Sequence, residues 1–245
     1  MLLVVIMILF MLATTAIFLH NKKIQTLIAQ VATIELSEYL QTDIHIGKLE
    51  YKFFNKLAIS DLQIDDQHGH KMISVNSIEA QFDLWGFFSK RFTIQQLDLD
   101  SAYFFMETDT AGRTNIAFFQ RLFNNPDAKF DALVEVKEVT ISSSQLKIRD
   151  LRYPQAEPGM FSLHDIDIEQ IEAIVAMEHL SPDSLNAQID HLSFKERSGL
   201  QLIKMQSELI ANHKSAMFPE LSIKLPNSYL SMDTVTFVYD SITRN

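Results

Sequence analysis

The amino-acid sequence predicts a mainly β protein led by helices: a membrane-spanning segment, a second helix, then a sheet of antiparallel, one-sided strands. Three observations carry this. The first nineteen residues hold no charged side chain, glycine or proline. The stretch Asn21 to Gln41 follows a helical period. From Asp43 onward, apolar residues alternate at period two with a recurring slip.

The opening run is dominated by Leu, Ile, Val, Met and Phe, with Leu2, Val4, Ile6, Ile8, Phe10, Leu12, Ile17, Phe18 and Leu19 as the expected anchor residues within 1–20. At 1.5 Å per residue, about 19 helical residues reach roughly 28 Å, close to the hydrocarbon thickness of a bilayer. His20-Asn21-Lys22-Lys23 then marks the water interface. The competing reading is a cleaved signal peptide, with Thr14-Thr15-Ala16 as a small-residue site. The apolar run continues past that site and lacks a charged leader, which favours a retained anchor. A buried core helix is disfavoured because the run is apolar on every face. By the positive-inside rule, Lys22 and Lys23 alone would place the body in the cytoplasm.

Residues 21–41 read as a juxtamembrane helix. Ile24, Leu27, Ile28, Val31, Ile34 and Leu40 approximate an i, i+3, i+4, i+7 stripe, and Gln25, Gln30, Glu35 and Glu38 supply a polar side. The apolar stripe is expected to lie against the start of the body.

The body repeats the template h-x-h-x-x-h-x-h. It occurs at Ile44, Ile46, Leu49, Tyr51; at Leu57, Ile59, Leu62, Ile64; at Ile73, Val75, Ile78, Ala80; and at Phe92, Ile94, Leu97, Leu99. It returns at Val134, Val136, Val139, Ile141; at Phe161, Leu163, Ile166, Ile168; at Ala187, Ile189, Leu192, Phe194; and at Leu230, Met232, Val235, Phe237. Side chains alternate faces along a strand, so one extra residue would send the later apolar pair to the opposite face. A β-bulge at the slip absorbs that residue and keeps all four on one side; a break splitting the strand in two is the alternative. The slip pairs are polar or glycine: Gly47-Lys48, Ser60-Asp61, Asn76-Ser77, Gln95-Gln96, Lys137-Glu138, His164-Asp165, Asp190-His191 and Asp233-Thr234. Strands apolar on one face only belong to an antiparallel sheet with one solvated face. Such a sheet must close over its apolar face or leave an apolar channel.

Two short helices are expected to interrupt the strands. One is Leu84 to Lys90, with Trp85, Phe87 and Phe88 as a core cap or plug. The other is Asn115 to Phe123, with Ile116, Phe119, Leu122 and Phe123 on one stripe. Asn124-Asn125-Pro126-Asp127 divides the body into a first segment, 42–125, and a second, 126–245, continuous with it; Pro154 to Gly159 reads as a loop.

Composition excludes several functions. A net charge of -10 with scattered Lys and Arg argues against nucleic acid as a partner. With no cysteine, a disulfide framework, a thiolate zinc site and a cysteine nucleophile are excluded. The six glycines are spread too widely for a dinucleotide or phosphate-binding loop. His68-Gly69-His70 beside Asp65 and Asp66 is the densest set of metal-ligand types, and it also reads as a plain turn between strands. The acidic residues Asp61, Asp65, Asp66, Asp98 and Asp100 alternate with apolar ones, as on the polar face of strands. Ser142-Ser143-Ser144 lacks the glycine frame of a nucleophile elbow, and His164 and His191 sit at slips. No catalytic residue, cofactor or metal ligand is expected.

The stretch from Leu40 to Asp66, with Ile46-Gly47 opening one strand and Phe53-Phe54-Asn55 leading to Asp61-Leu62 in the next, resembles the N-terminal region of TamB-like and AsmA-like envelope proteins. Asp109, Gly112, Asn115, Ile116 and Phe118 match a later element of that pattern; His70-Lys71 departs from it. The resemblance is best over residues 1–125. It implies an inner-membrane anchor, a body in the periplasm, and a long, curved, taco-like sheet with an apolar concave groove. The implied role is outer-membrane biogenesis, with phospholipid acyl chains or an outer-membrane β-barrel assembly partner as the ligand. The groove would be lined by the template residues from Ile44 to Ile141. A membrane-anchored structural or adhesion module with a closed β core is the alternative.

Overall fold

The computed structural model describes residues 21–52, 55–83, 91–117, 133–180 and 184–238. The expected anchor, the Leu84–Lys90 helix with its aromatic residues, the Asn124–Asp127 boundary and most of the Asn115–Phe123 helix lie outside them. Among the described residues no helix is long and apolar enough to cross a membrane.

Helix α1 spans Lys22–Leu40. Asn21 caps its start, accepting the Lys23 N–H at 3.0 Å, and Gln41 ends it in the left-handed conformation, φ 53°. The helix packs beside the first strand, but three residues of the expected stripe face away from it. Gln25 and Ala29 are buried, whereas Leu27, Val31 and Ile34 are exposed. The small Ala29 lets the helix backbone approach closely, while Leu27, Val31 and Ile34 turn outward.

Among the described residues eleven strands follow: β1 (Ile44–Lys52), β2 (Lys56–Asp65), β3 (Lys71–Phe82), β4 (Arg91–Thr108), β5 (Leu133–Val136), β6 (Glu138–Asp150), β7 (Asp165–Leu180), β8 (Ser184–Glu196), β9 (Gln201–Asn212), β10 (Ser215–Leu225) and β11 (Ser228–Val238). They form one open, curved sheet in the order β1-β2-β3-β4-β6-β7-β8-β9-β10-β11, with β5 also beside β4. Strands before and after the expected boundary therefore share a single sheet.

The expectation of an antiparallel sheet needs one correction. β4 pairs with β5 and with β6 in parallel, at one unchanged offset, while every other neighbouring pair is antiparallel. Apolar alternation reports which face a residue occupies and carries no information about strand direction.

Fully buried apolar side chains are few. A small cluster forms where Ile44 and the fully buried Met72 meet Ile46, Leu62, Ile64, Ile73 and Ile116. Met72 reaches it because the register of β2 and β3 shifts between Ile64 and Asp65, which turns the extra residue inward.

The hairpin turns share a local design. Asp66 Oδ1 accepts the N–H groups of His68 at 2.8 Å and His70 at 2.9 Å, with Gly69 at φ 79°. Asp109 Oδ1 does the same for Ala111 and Arg113, with Gly112 at φ 81°. The side-chain oxygen satisfies the turn's orphan donors, and glycine takes the conformation that other residues resist.

Candidate functional site: a one-sided apolar face

The apolar positions of neighbouring strands stand directly opposite one another. Leu49 pairs with Ile59, Ile59 with Ile78, Ile78 with Leu99 and Leu99 with Ile141. Ile141 then pairs with Ala173, Ala173 with Leu192, Leu192 with Met205, Met205 with Ile223 and Ile223 with Leu230. One uninterrupted apolar row thus crosses the sheet from β1 to β11. At about 4.8 Å per strand it is roughly 43 Å long.

Shorter rows flank it. Tyr51, Leu57, Ala80, Leu97, Val139, Val175 and Ile189 form one. Ile44, Ile64, Ile73, Phe104, Leu146 and Ile168 form another, beside Ile46, Leu62, Val75 and Ala102. Ile94 pairs with Val136; Phe92 and Val134 pair through their backbones, and their side chains lie outside the described set. Most residues of these rows are half-buried; Ala173, Ile44, Val75, Ala80 and Ile189 are fully buried.

The rows stay on one face because the slips line up. Gly47, Asp61, Asn76, Ser101 and Ser143 lie level with one another, bracketed by pairs such as Ile46↔Leu62, Ser60↔Ser77, Ser77↔Asp100 and Asp100↔Ser142. Asp61, Ser101 and Ser143 take left-handed backbone conformations, φ 55°, 53° and 50°. No register is lost across β1, β2 and β3 at this seam. Instead of one strand bulging against a straight partner, the slips stay level, with left-handed residues at Asp61, Ser101 and Ser143 and none at Gly47 or Asn76. Gln170 continues the seam in β7 with a stagger, and Glu220, φ 49°, repeats it in β10 opposite Asp233.

Side chains repair the interrupted ladder. Ser144 is buried; its Oγ accepts the Ala102 N–H at 3.0 Å and donates to the Ser142 carbonyl at 2.8 Å. Ser142 donates to Asp100 at 2.9 Å, and the Ser143 N–H donates to Glu172 at 2.9 Å. The serine triplet is thus a structural device of the seam.

The other expected slips divide into kinds. Gln95-Gln96 meets a register shift in β3–β4, and Asp190-His191 meets shifts on both sides of β8, as bulges do. Lys137 separates β5 from β6, realising the strand-break alternative. The copy at Phe161, Leu163, Ile166 and Ile168 is corrected: Phe161 and Leu163 are exposed in the loop before β7, and the alternation continues from Ile166 into β7 at Ile171, Ala173 and Val175. Sequence reasoning missed β9 and β10 because Ser207, Pro219 and Glu220 interrupt their alternation; Leu202, Met205, Leu209, Leu221 and Ile223 were the available signal.

The opposite face carries charge. Lys147 meets Asp167 at 3.1 Å and Arg197 meets Asp165 at 2.8 Å. Burial works against the Asp165 charge, yet the Ala156 N–H and the Arg197 guanidinium hold its pKa below the usual carboxylate value. Burial likewise opposes the Glu196 charge, and hydrogen bonds from Ser198 and the Asp167 N–H together with Arg197 hold its pKa below the usual value. At the half-buried Asp150, hydrogen bonds from Arg152 lower the pKa to about 2. Each of these carboxylates ties a turn or loop to the sheet end. Among the described residues no group of three or more His, Asp or Glu is arranged to hold a metal ion, and His68 and His70 are placed by the Asp66 turn.

Comparison with family models, curated proteins and solved structures finds no match to this chain.

Proposed function

We propose that this protein is an envelope component that offers its apolar sheet face to phospholipid acyl chains, held at the inner membrane by its N-terminal run with the body in the periplasm. The observation that carries this reading is the row from Leu49 to Leu230, matched pair by pair across ten strands yet left mostly half-buried, with Leu230 exposed. Apolar side chains held in line on a face that the described residues leave uncovered are costly in water, by about 25 cal/mol per Å² of apolar surface. An acyl chain covers such a face without demanding hydrogen bonds. The row begins beside α1, next to the expected anchor, and ends at an edge that no described strand pairs with. Passage of lipid along it, in support of outer-membrane biogenesis, is the activity this arrangement serves.

A photo-crosslinking amino acid at Ile46, Val75, Leu97 or Val136, introduced singly into the full chain in cells, tests the reading. Probes at these positions are expected to capture phospholipid, and probes at Glu50 or Glu79 on the charged face are not. Equal labelling of both faces, or none at the apolar positions, sinks the proposal. A phosphatase fused after Asn245 tests the orientation, since activity requires the periplasm.

The sheet's two outer strands, β1 and β11, do not pair with each other. That observation weighs against a closed β core serving as a purely structural or adhesive module.

A further inference from the structure

The two edges of the sheet are treated differently. Along β1 lies α1, and Ser37 Oγ accepts the Ile44 N–H at 3.1 Å, so that edge is covered. At the other end, β11 presents an outer edge that no described residue pairs with. It contains no proline, lysine or arginine, and Asp233 is its one charge. Tyr229, Leu230, Phe237 and Val238 are exposed. Edge strands of soluble proteins usually carry lysine, proline, a bulge or a cover that prevents pairing; among the described residues β11 has none of these.

We infer that the outer edge of β11 pairs antiparallel with β11 of a second copy of this chain, about a two-fold axis between Asp233 and Thr234.

The choice of occupant follows from register. The template h-x-h-x-x-h-x-h reads the same in both directions. Antiparallel neighbours in this sheet therefore align slip against slip: Ile46 faces Leu62 and Leu49 faces Ile59, Ile59 faces Ile78 and Leu62 faces Val75, Phe218 faces Val235 and Leu221 faces Met232. Applied to β11 against itself, the same rule places Leu230 opposite Phe237 of the second copy and Met232 opposite Val235 of the second copy. All four apolar positions are matched. Asp233 falls opposite Thr234 of the second copy, so the one charge on the edge lies diagonal to its counterpart rather than directly opposite it. Two eleven-residue strands offer about ten backbone hydrogen bonds, similar to the number in a typical protein–protein interface. Because α1 covers the β1 edge, pairing through β11 stops at two copies and gives a closed assembly rather than a fibre.

Ser231 and Thr236 are exposed, and the proposed register sets each opposite the other across the axis. Two double variants of the full chain in detergent test this by sedimentation. Ser231→Lys with Thr236→Lys places like charges opposite each other twice, while Ser231→Lys with Thr236→Glu places opposite charges there. The expected result is a dimer for the unmodified chain and for the Lys/Glu variant, with dimerisation of the Lys/Lys variant weakened about tenfold or more. In this cysteine-free chain, Ser231→Cys with Thr236→Cys is expected to give a disulfide-linked dimer, and the off-register Ser231→Cys with Val238→Cys is not. A chain that stays monomeric at its solubility limit, a Lys/Lys variant that dimerises as well as the Lys/Glu one, or equal crosslinking in both registers overturns the inference.

Discussion

A Cβ placed on Gly47 would stand 2.8 Å from the Cβ of Asp61 across the β1–β2 pair. Real Cβ atoms do not approach so closely, and Asp61 is itself in the left-handed conformation. The glycine on one strand accommodates the turned-over residue on its neighbour.

Gly47→Ala is therefore expected to destabilise the fold by about 1–3 kcal/mol, the usual cost of overpacking. Asp61→Gly removes both the opposing Cβ and the strained backbone of a non-glycine residue. The double variant should recover part of the loss, with a favourable coupling of about 0.5–2 kcal/mol in a double-mutant cycle by urea denaturation. Simple additivity would show that the seam does not couple these positions.

The buried Ser144 hydroxyl substitutes for a missing ladder bond at Ala102. Ser144→Ala strands that N–H and should cost about 1–3 kcal/mol. Amide exchange of Ala102 is expected to accelerate well beyond that of Leu99, which lies outside the seam.

Met72 and Ile59 separate a covered site from an open one. Met72 is 0% exposed in its cluster, so Met72→Ala should cost about 2–5 kcal/mol through the cavity it leaves. Ile59 is half-buried on the apolar row, and Ile59→Ala should cost only about 1 kcal/mol. Similar losses at both positions, measured by urea denaturation, would mean that the row is packed beneath another layer.

Acid should release the loop between β6 and β7. The folded pKa of Asp165 lies below its ordinary value, so its contribution is full above about pH 4 and disappears as pH falls through the folded value. Amide exchange at Ala156, whose N–H bonds to Asp165 at 3.0 Å, is expected to rise in that window once corrected for intrinsic rates. Asp165→Asn should show fast exchange already at neutral pH, at a stability cost of about 1–3 kcal/mol because Arg197 is partly solvated.

The strands themselves were legible where four apolar residues flank a two-residue slip, as at Ile44–Tyr51 and Leu57–Ile64. Period two fixes the face, and the slip announces itself when an odd spacing interrupts it. What a single sequence could not carry was the relation between slips. A lone strand with an extra residue suggests a bulge against a straight partner; only pairing reveals that Asp61, Asn76, Ser101 and Ser143 lie at the same level. Direction was hidden for a similar reason, since β4 and β6 would carry the same alternation in either sense. The α1 stripe failed because helical periodicity marks an apolar face without saying what meets it, and Ala29 packs closer than Leu27 could.

The level seam also constrains how this sheet can change its length. A residue inserted on one side of the crease in one strand would throw that strand out of step with two neighbours at once. A whole strand carrying the same palindromic spacing, by contrast, could be added or removed with every row intact. The sheet is thus rigid in one dimension and modular in the other: strand length is locked, while width is free to vary in steps of about 4.8 Å.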